Sequence, residues 1–276
     1  MAGSETLIAV AYLARSEDLL WIFTGLAVVV FVASRIHAAH RRRAIHQAIG
    51  KLVRRHDGWH RQAWPCGQQP DLLVGRFAAT PRGDRRYGVR YAVGGPTELE
   101  IAGTASVCEV AFLEWFSEAR RHGRSRRGHR TRYEERTDLV ALARLPVHIP
   151  RKIAIGPESL LGRTGLTRGG AQLESDAFNR RFRVEGEART LVVQLLDANL
   201  QQVLLDAFGR RGVEFSDELL VLSGKPTHRD PTLRHLVGSY PAMHQDLGQL
   251  CRAIPAQFWR ALGWRPGQQT PTTEDA

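Results

Sequence analysis

YGVRYAVGGPTELEI, Tyr87–Ile101, holds the pattern on which the reading of the fold turns. Tyr87, Val89, Tyr91 and Val93 alternate with Arg86, Gly88, Arg90 and Ala92, the period of a strand with one face buried. Gly94, Gly95 and Pro96 interrupt the alternation and Leu99 and Ile101 resume it, so the spacing predicts an antiparallel hairpin that turns at Gly94, Gly95 and Pro96. Working outward, residues 105–116 form a run rich in Val, Phe and Trp, and residues 133–145 form a second run leading to Pro146. Both read as strands, paired with each other. A short strand over residues 152–155 precedes a Gly156-Pro157 turn, and residues 213–215 and 219–222 read as a further hairpin.

Helical spacing takes over toward the C-terminus. Asp197 is a plausible cap for a helix whose Leu200, Val203, Leu204, Ala207 and Phe208 share a face until Gly209 and Gly212. Leu233, Leu236, Val237 and Tyr240, then Met243, Leu247, Leu250 and Ile254, continue the pattern, with Pro241 and Pro255 expected to kink or restart it. Strands first, helices and a hairpin after, point to an α+β domain rich in antiparallel sheet with helices packed in its C-terminal half, not to a doubly wound sheet.

Ahead of this domain, LLWIFTGLAVVVFVASRI (residues 19–36) carries no charge until Arg35. At about 18 residues it is long enough to cross a bilayer as a helix. Trp21 stands at one end, as amphipathic rings do at the headgroup level. Glu5, Glu17 and Asp18 precede the span with Arg15 alone opposing them, whereas Arg35, Arg41, Arg42, Arg43, Lys51, Arg54, Arg55 and Arg61 follow it. The positive-inside rule then places the N-terminus outside and the rest in the cytoplasm. A cleaved signal peptide would carry its positive charge before the apolar core, and a soluble core helix would show a polar face. The weaker apolar run over residues 7–14 is too short to cross. Beyond the span, Ile45, Ala48, Ile49, Leu52 and Val53 recur at helical spacing among the basic residues, a basic amphipathic helix suited to anionic headgroups or to orienting insertion.

The formal net charge of +11 over 276 residues draws the chain toward nucleic acid, anionic lipid or an acidic partner. Cys66, Cys108 and Cys251 are odd in number and widely spaced, which indicates neither a disulfide framework nor a zinc site and agrees with a reducing cytoplasm. The run EARRHGRSRRGHRTR (residues 118–132) has no apolar residue larger than Ala119 and so cannot join a core; it reads as a solvated hairpin tip or as an electrostatic contact. It lacks the Phe, Tyr or Trp that would stack on single-stranded bases.

LESDAFNRRFRVEGEARTLVVQLLDANLQQVLLD (residues 173–206) and DLVALARLPVHIPRKIAIGPES (residues 138–159), together with the apolar segment before a basic helix, resemble a bacterial family known as domain of unknown function 3137. The resemblance covers most of residues 71–224 and departs from the family pattern at Asp197, Ala198, Asn199 and Leu200, where a proline is expected. It implies an architecture and no activity. Physically, Phe178 and Phe182 lie four apart and would share a helical face as core anchors, Phe182 and Val184 alternate as the chain turns extended, and Asn179 would close a turn between the two phenylalanines.

The search for chemistry is negative. His56 and His60 are spaced by four, but Gly58 lies between them and no carboxylate follows at ligand spacing. LLGRTGLTRGG (residues 160–170) matches neither phosphate-binding glycine motif, and His228-Arg229-Asp230 lacks the rest of a kinase signature, leaving Asp230 as a helix cap. Glu134 and Glu135 are adjacent on a strand and face apart. No catalytic, cofactor-binding or metal-binding residue is assigned, no cofactor is expected, and the balance leans against an enzyme. Residues 1–18 are assigned to an extracytoplasmic lead-in, 19–36 to a transmembrane helix, 37–68 to a basic juxtamembrane helix and connector, 69–264 to the cytoplasmic domain and 265–276 to a disordered tail. The expectation is a single-pass protein of the plasma (inner) membrane whose cytoplasmic domain meets a partner protein or the lipid surface. The residues expected to contact an anionic surface are Arg41, Arg42, Arg43, Lys51, Arg54, Arg55, Arg120, Arg121, Arg124, Arg126, Arg127 and Arg130. A membrane-tethered nucleic-acid binder using residues 118–132, or an enzyme without a recognisable motif, are the alternatives.

Overall fold

A computed structural model describes residues 17–61, 76–78, 80–125, 128–157, 173–209, 211–224 and 236–265. The chain divides into two compact units, residues 1–48 and 49–276. In the first, helix α1 begins at Glu17 and runs without a break to Val53, past the unit boundary. The expected span and basic helix are therefore one helix, because no Gly-Pro or other breaker separates Ile36 from the arginines. At 37 residues it is about 55 Å long, at 1.5 Å per residue. It is long and apolar enough to cross a membrane, and among the described residues its apolar stretch has no buried side chain. Trp21, Phe23, Leu26, Phe31 and Ile36 are all exposed.

The second unit is α+β, built on an antiparallel sheet. Its strands are β1 (His60–Arg61), β2 (Tyr87–Ile101), β3 (Thr104–Ser125), β4 (Gly128–Gly156), β5 (Arg183–Gly186) and β6 (Gly212–Gly224). The order is β1-β2-β3-β4-β5, with β6 also paired to β4. The sheet starts before the expected boundary at residue 69, and Ile49, Leu52 and Trp59 are already buried.

The hairpin expected at Gly94, Gly95 and Pro96 is absent. β2 passes straight through these residues, with Gly94 opposite Ala111 and Pro96 opposite Glu109, and the true turn is at Ala102 and Gly103. The glycines serve close approach instead. A Cβ on Gly94 would lie 2.0 Å from the Val110 carbonyl oxygen, and one on Gly95 would lie 2.6 Å from the Gly58 carbonyl oxygen. β1 is laid along this stretch, His60 opposite Gly94 and Arg61 opposite Val93, and the Trp59 indole N–H donates to the Pro96 carbonyl at 3.0 Å.

Two more expected breaks are bends within strands. β4 continues through Pro146 and Pro150 to include residues 152–155. Its ladder with β6 slips between Arg144 and Ile149 and again between Ile149 and Ile153, where the prolines cannot donate. The hairpin expected over residues 213–222 is the single strand β6, kinked at Asp217, whose φ is 52°. The pairing expected between residues 105–116 and 133–145 is present and extends further, from Val110 opposite Ala143 to Ser125 opposite Gly128.

Alternation along β3 separates two faces. Cys108, Val110 and Phe112 join the larger core with the helices, and Ala111, Leu113 and Trp115 join a smaller one with Phe77, Val140, Leu142 and Val221. The helices are α2 (Asp176–Arg181), α3 (Arg189–Leu195), α4 (Ala198–Ala207), α5 (Leu236–Ala253) and α6 (Ala256–Ala261). α5 packs on β2, β3 and β4, with Tyr240, Met243, Leu247 and Leu250 buried. Pro241 lies inside α5, and Pro255 caps α6. Phe178 and Phe182 stack with ring centroids 5.0 Å apart, both buried. The Asn179 carboxamide accepts from the Leu173 N–H at 3.1 Å and donates to its carbonyl at 2.6 Å, so it ties the chain ahead of α2 to the helix and does not close the expected turn between the two phenylalanines, which a helical turn joins instead. Asp197 caps α4 by accepting from the Leu200 N–H at 2.8 Å. Residues 1–16, the loop over 160–170, Cys66, His228-Arg229-Asp230 and the tail from 266 lie outside the described residues.

Candidate functional site

The basic residues singled out in the sequence fall into separate groups. Arg42 and Arg43 are exposed on α1 within the first unit; the Arg41 side chain is outside the described set. Lys51, at the last turn of α1, and Arg54 and Arg55 just after it are exposed in the second unit. Arg120, Arg121 and Arg124 lie on β3 and Arg130 on β4, while Arg126 and Arg127 lie outside the described residues. The Arg-rich run is thus not a loop hung on the sheet. Its backbone continues the β3–β4 ladder outward, with Arg120 opposite Tyr133, Arg121 opposite Arg132, His122 opposite Thr131, Gly123 opposite Arg130 and Arg124 opposite His129.

The root of this ribbon is fixed. The Asp84 N–H donates to the Glu118 carbonyl at 2.9 Å, the Glu118 N–H donates to the Arg86 carbonyl at 2.7 Å, and the Arg120 N–H donates to the Asp84 carboxylate at 2.6 Å. The Arg86 guanidinium, 2.6 Å from the Glu118 carboxylate, holds that carboxyl below its usual range through their hydrogen bond and is itself held above its own. Arg90 is the residue at which the β2–β3 register slips, between Val89 and Tyr91. A bulge re-aims its side chain: the guanidinium meets Glu114 at 3.3 Å and Glu135 at 2.7 Å and covers the Phe116 ring. Burial works against the Arg90 charge, but Glu135 and Glu114 outweigh it and raise its pKa. The Arg85 guanidinium lies over the Tyr133 ring at 5.4 Å.

Two clusters were missed in the sequence. One is aromatic. His56 stacks on Trp59 at 4.3 Å, Phe112 meets Tyr240 edge to face at 4.9 Å, His244 lies 5.6 Å from Tyr240, and a 3.1 Å hydrogen bond joins the Tyr240 hydroxyl to His56 Nε2. His56 and His60 are therefore not a ligand pair, since His56 turns to Tyr240 and His60 is exposed on β1. Burial pushes the Tyr240 phenol up to about 12, and burial with the His56 charge pulls His244 down. A histidine depressed in the folded state contributes stability above its unfolded pKa of about 6.5 that is lost as pH falls through the folded value. Between roughly pH 7 and pH 5, the unfolding midpoint should fall, and the slope should be shallower for His244→Gln; equal slopes would remove His244 as its source.

The other cluster is ionic. Glu214 on β6 is wholly buried; Lys152 Nζ stands 2.7 Å from its carboxylate and the Ala78 N–H donates to it at 2.8 Å. The signal for it was a carboxylate set between Val213 and Phe215, just as Glu114 stands between Leu113 and Trp115. Asp138 pairs with Arg136 at 2.8 Å and Glu185 with Arg183 at 3.1 Å. Among the described residues each buried carboxylate thus has a cation beside it. Among the described residues no three His, Cys, Asp or Glu gather as metal ligands. Cys108 and Cys251 are buried, and burial, with Cys108 nearby, raises the Cys251 thiol far above its usual value. Compared with family models, with curated proteins and with solved structures, the chain finds no match.

Proposed function

We propose that the chain is a single-pass protein of the plasma (inner) membrane, with its N-terminus outside, whose cytoplasmic α+β domain is an interaction module for a partner protein or an anionic lipid surface. The observation that carries the reading is α1. From Trp21 to Ile36 every described side chain is exposed and none is buried against the protein. Apolar patches of that size on a soluble monomer mark an interaction surface, and lipid would cover every side of this one. Charge supplies the direction, acidic at Glu17 and Asp18 and basic from Arg35 through Arg43. The buried thiols of Cys108 and Cys251 suit a reducing compartment.

An interaction role is favoured over catalysis by the pairing of Glu114, Glu118, Asp138 and Glu214 with basic side chains, which leaves these carboxylates as structural ions rather than poised acids or bases. The resemblance to domain of unknown function 3137 is carried as a proposal about ancestry. The test is topological. A cytoplasm-dependent reporter fused after Gly263 should be active, and one that works only outside the cytoplasm should be silent; the opposite result would reverse the orientation, and a chain that stays soluble after membrane sedimentation would end the reading.

A further inference from the structure

The outer β3–β4 ribbon separates charge by sign. At its root stand Asp84, Glu118, Glu134 and Glu135, balanced by Arg85, Arg86 and Arg90. Beyond the Arg120–Tyr133 pair, no acidic residue occurs between Ala119 and Tyr133. The ladder runs on from there to Ser125 opposite Gly128, about 17 Å at 3.4 Å per residue. Register distributes the arginines over both faces. Directly opposed residues share a face, so Arg120 and Arg124 occupy positions on one, and Arg121, Arg130 and Arg132 occupy positions on the other. Arg121 is set directly opposite Arg132 in the register.

From this placement we propose that the ribbon is a binding element for double-stranded DNA, entering the major groove with a phosphate wall along each face. A flat anionic membrane would engage one face of a ribbon and leave the arginines of the other in water. A groove engages both. The B-form major groove is about 12 Å wide and admits a two-stranded β-ribbon, whereas the major groove of duplex RNA is deep and narrow. The absence of Phe and Trp within residues 119–132 fits a duplex, whose bases are stacked on each other, better than a single strand, which is held on aromatic side chains. Fixed hydrogen bonds from Asp84 and Arg86 at the root supply the rigidity that insertion requires. The proposal names a partner for the domain, and it rests on the cytoplasmic reading only for access to DNA in the cell.

The test uses full-length protein in uncharged detergent micelles, so topology does not enter it. Fluorescence anisotropy with a labelled 20-base-pair duplex should give an affinity that falls steeply and linearly with salt on logarithmic axes. Arg120→Gln with Arg124→Gln should weaken binding and reduce that slope by about two, and so should Arg121→Gln with Arg130→Gln. An unchanged unfolding midpoint for both double variants shows that neither acts by unfolding. No binding by the wild type would overturn the proposal, as would a single strand bound more tightly than the duplex. A loss confined to one double variant would also overturn it, indicating a planar contact. So would capture by vesicles containing phosphatidylglycerol that exceeds capture by DNA at equal phosphate concentration.

Discussion

Gly94→Ala is expected to lower the stability of the second unit by about 3 kcal/mol, the upper range for forcing atoms into a close-packed position. A Cβ there would lie 2.0 Å from the Val110 carbonyl oxygen and 2.7 Å from the Ala111 Cα, both backbone atoms of the neighbouring strand. Flexible side chains can swing aside; a strand held by the β2–β3 and β3–β4 ladders cannot. The change should bring the unfolding midpoint down by roughly 6–12 °C for a unit of this size. Gly248→Ala in α5 is the control, since nothing lies within 4 Å of its added methyl and a helical alanine is preferred to glycine by about 0.5–1 kcal/mol. A Gly94→Ala protein as stable as the wild type would mean that β2 and β3 are not in such close approach.

Lys152→Met should cost a similar amount, about 3 kcal/mol, by leaving a buried carboxylate without its cation. Glu214 has no exposed surface, and its oxygens face Lys152 Nζ and the Ala78 N–H. Lys152 also donates to the Arg76 carbonyl at 2.6 Å, so β4, β6 and residues 76–78 meet at one charge pair. Because desolvation offsets much of the attraction in such a pair, the double variant Lys152→Met with Glu214→Leu should recover most of the loss. Chemical denaturation of the two single variants and the double variant measures this directly. A double variant no more stable than Lys152→Met alone would show that packing, not the stranded charge, sets the cost.

Why Gly94 was read as a turn explains much of what the sequence could and could not convey. Gly94-Gly95-Pro96, Ser216-Asp217 and the prolines at 146 and 150 all have turn chemistry, and each sits inside a strand. Turn chemistry reports that the local backbone is unusual. It cannot say whether the chain reverses or merely bends, because that depends on a partner strand elsewhere. The real reversal at Ala102 and Gly103, with φ of 50° and 78°, was hidden because alanine replaces the Asn or Asp usual at the first position of such a turn. Local features were legible for the opposite reason. Phe178, Asn179 and Phe182 act within a few residues of one another, and Asp197 caps its own helix. The His56–Tyr240 cluster joins residues 184 apart, and no spacing rule reaches that far. The Arg-rich run was visible as charge, but its ladder was not, since arginine, glycine and histidine carry little strand preference of their own.

The two-sided pairing of β4 also sets an order in time. Residues 139–143 need β3 on one edge and β6 on the other, yet β6 ends only at Gly224 and α5 and α6 follow it. During synthesis, about seventy residues separate the completion of β4 from that of its last strand, several seconds at about 5–20 residues per second. For that interval β4 offers an open, strongly apolar edge, Leu139 to Leu145, that could pair with another chain. The nascent domain is therefore most exposed to mispairing after its sheet is mostly made and before its final third has emerged.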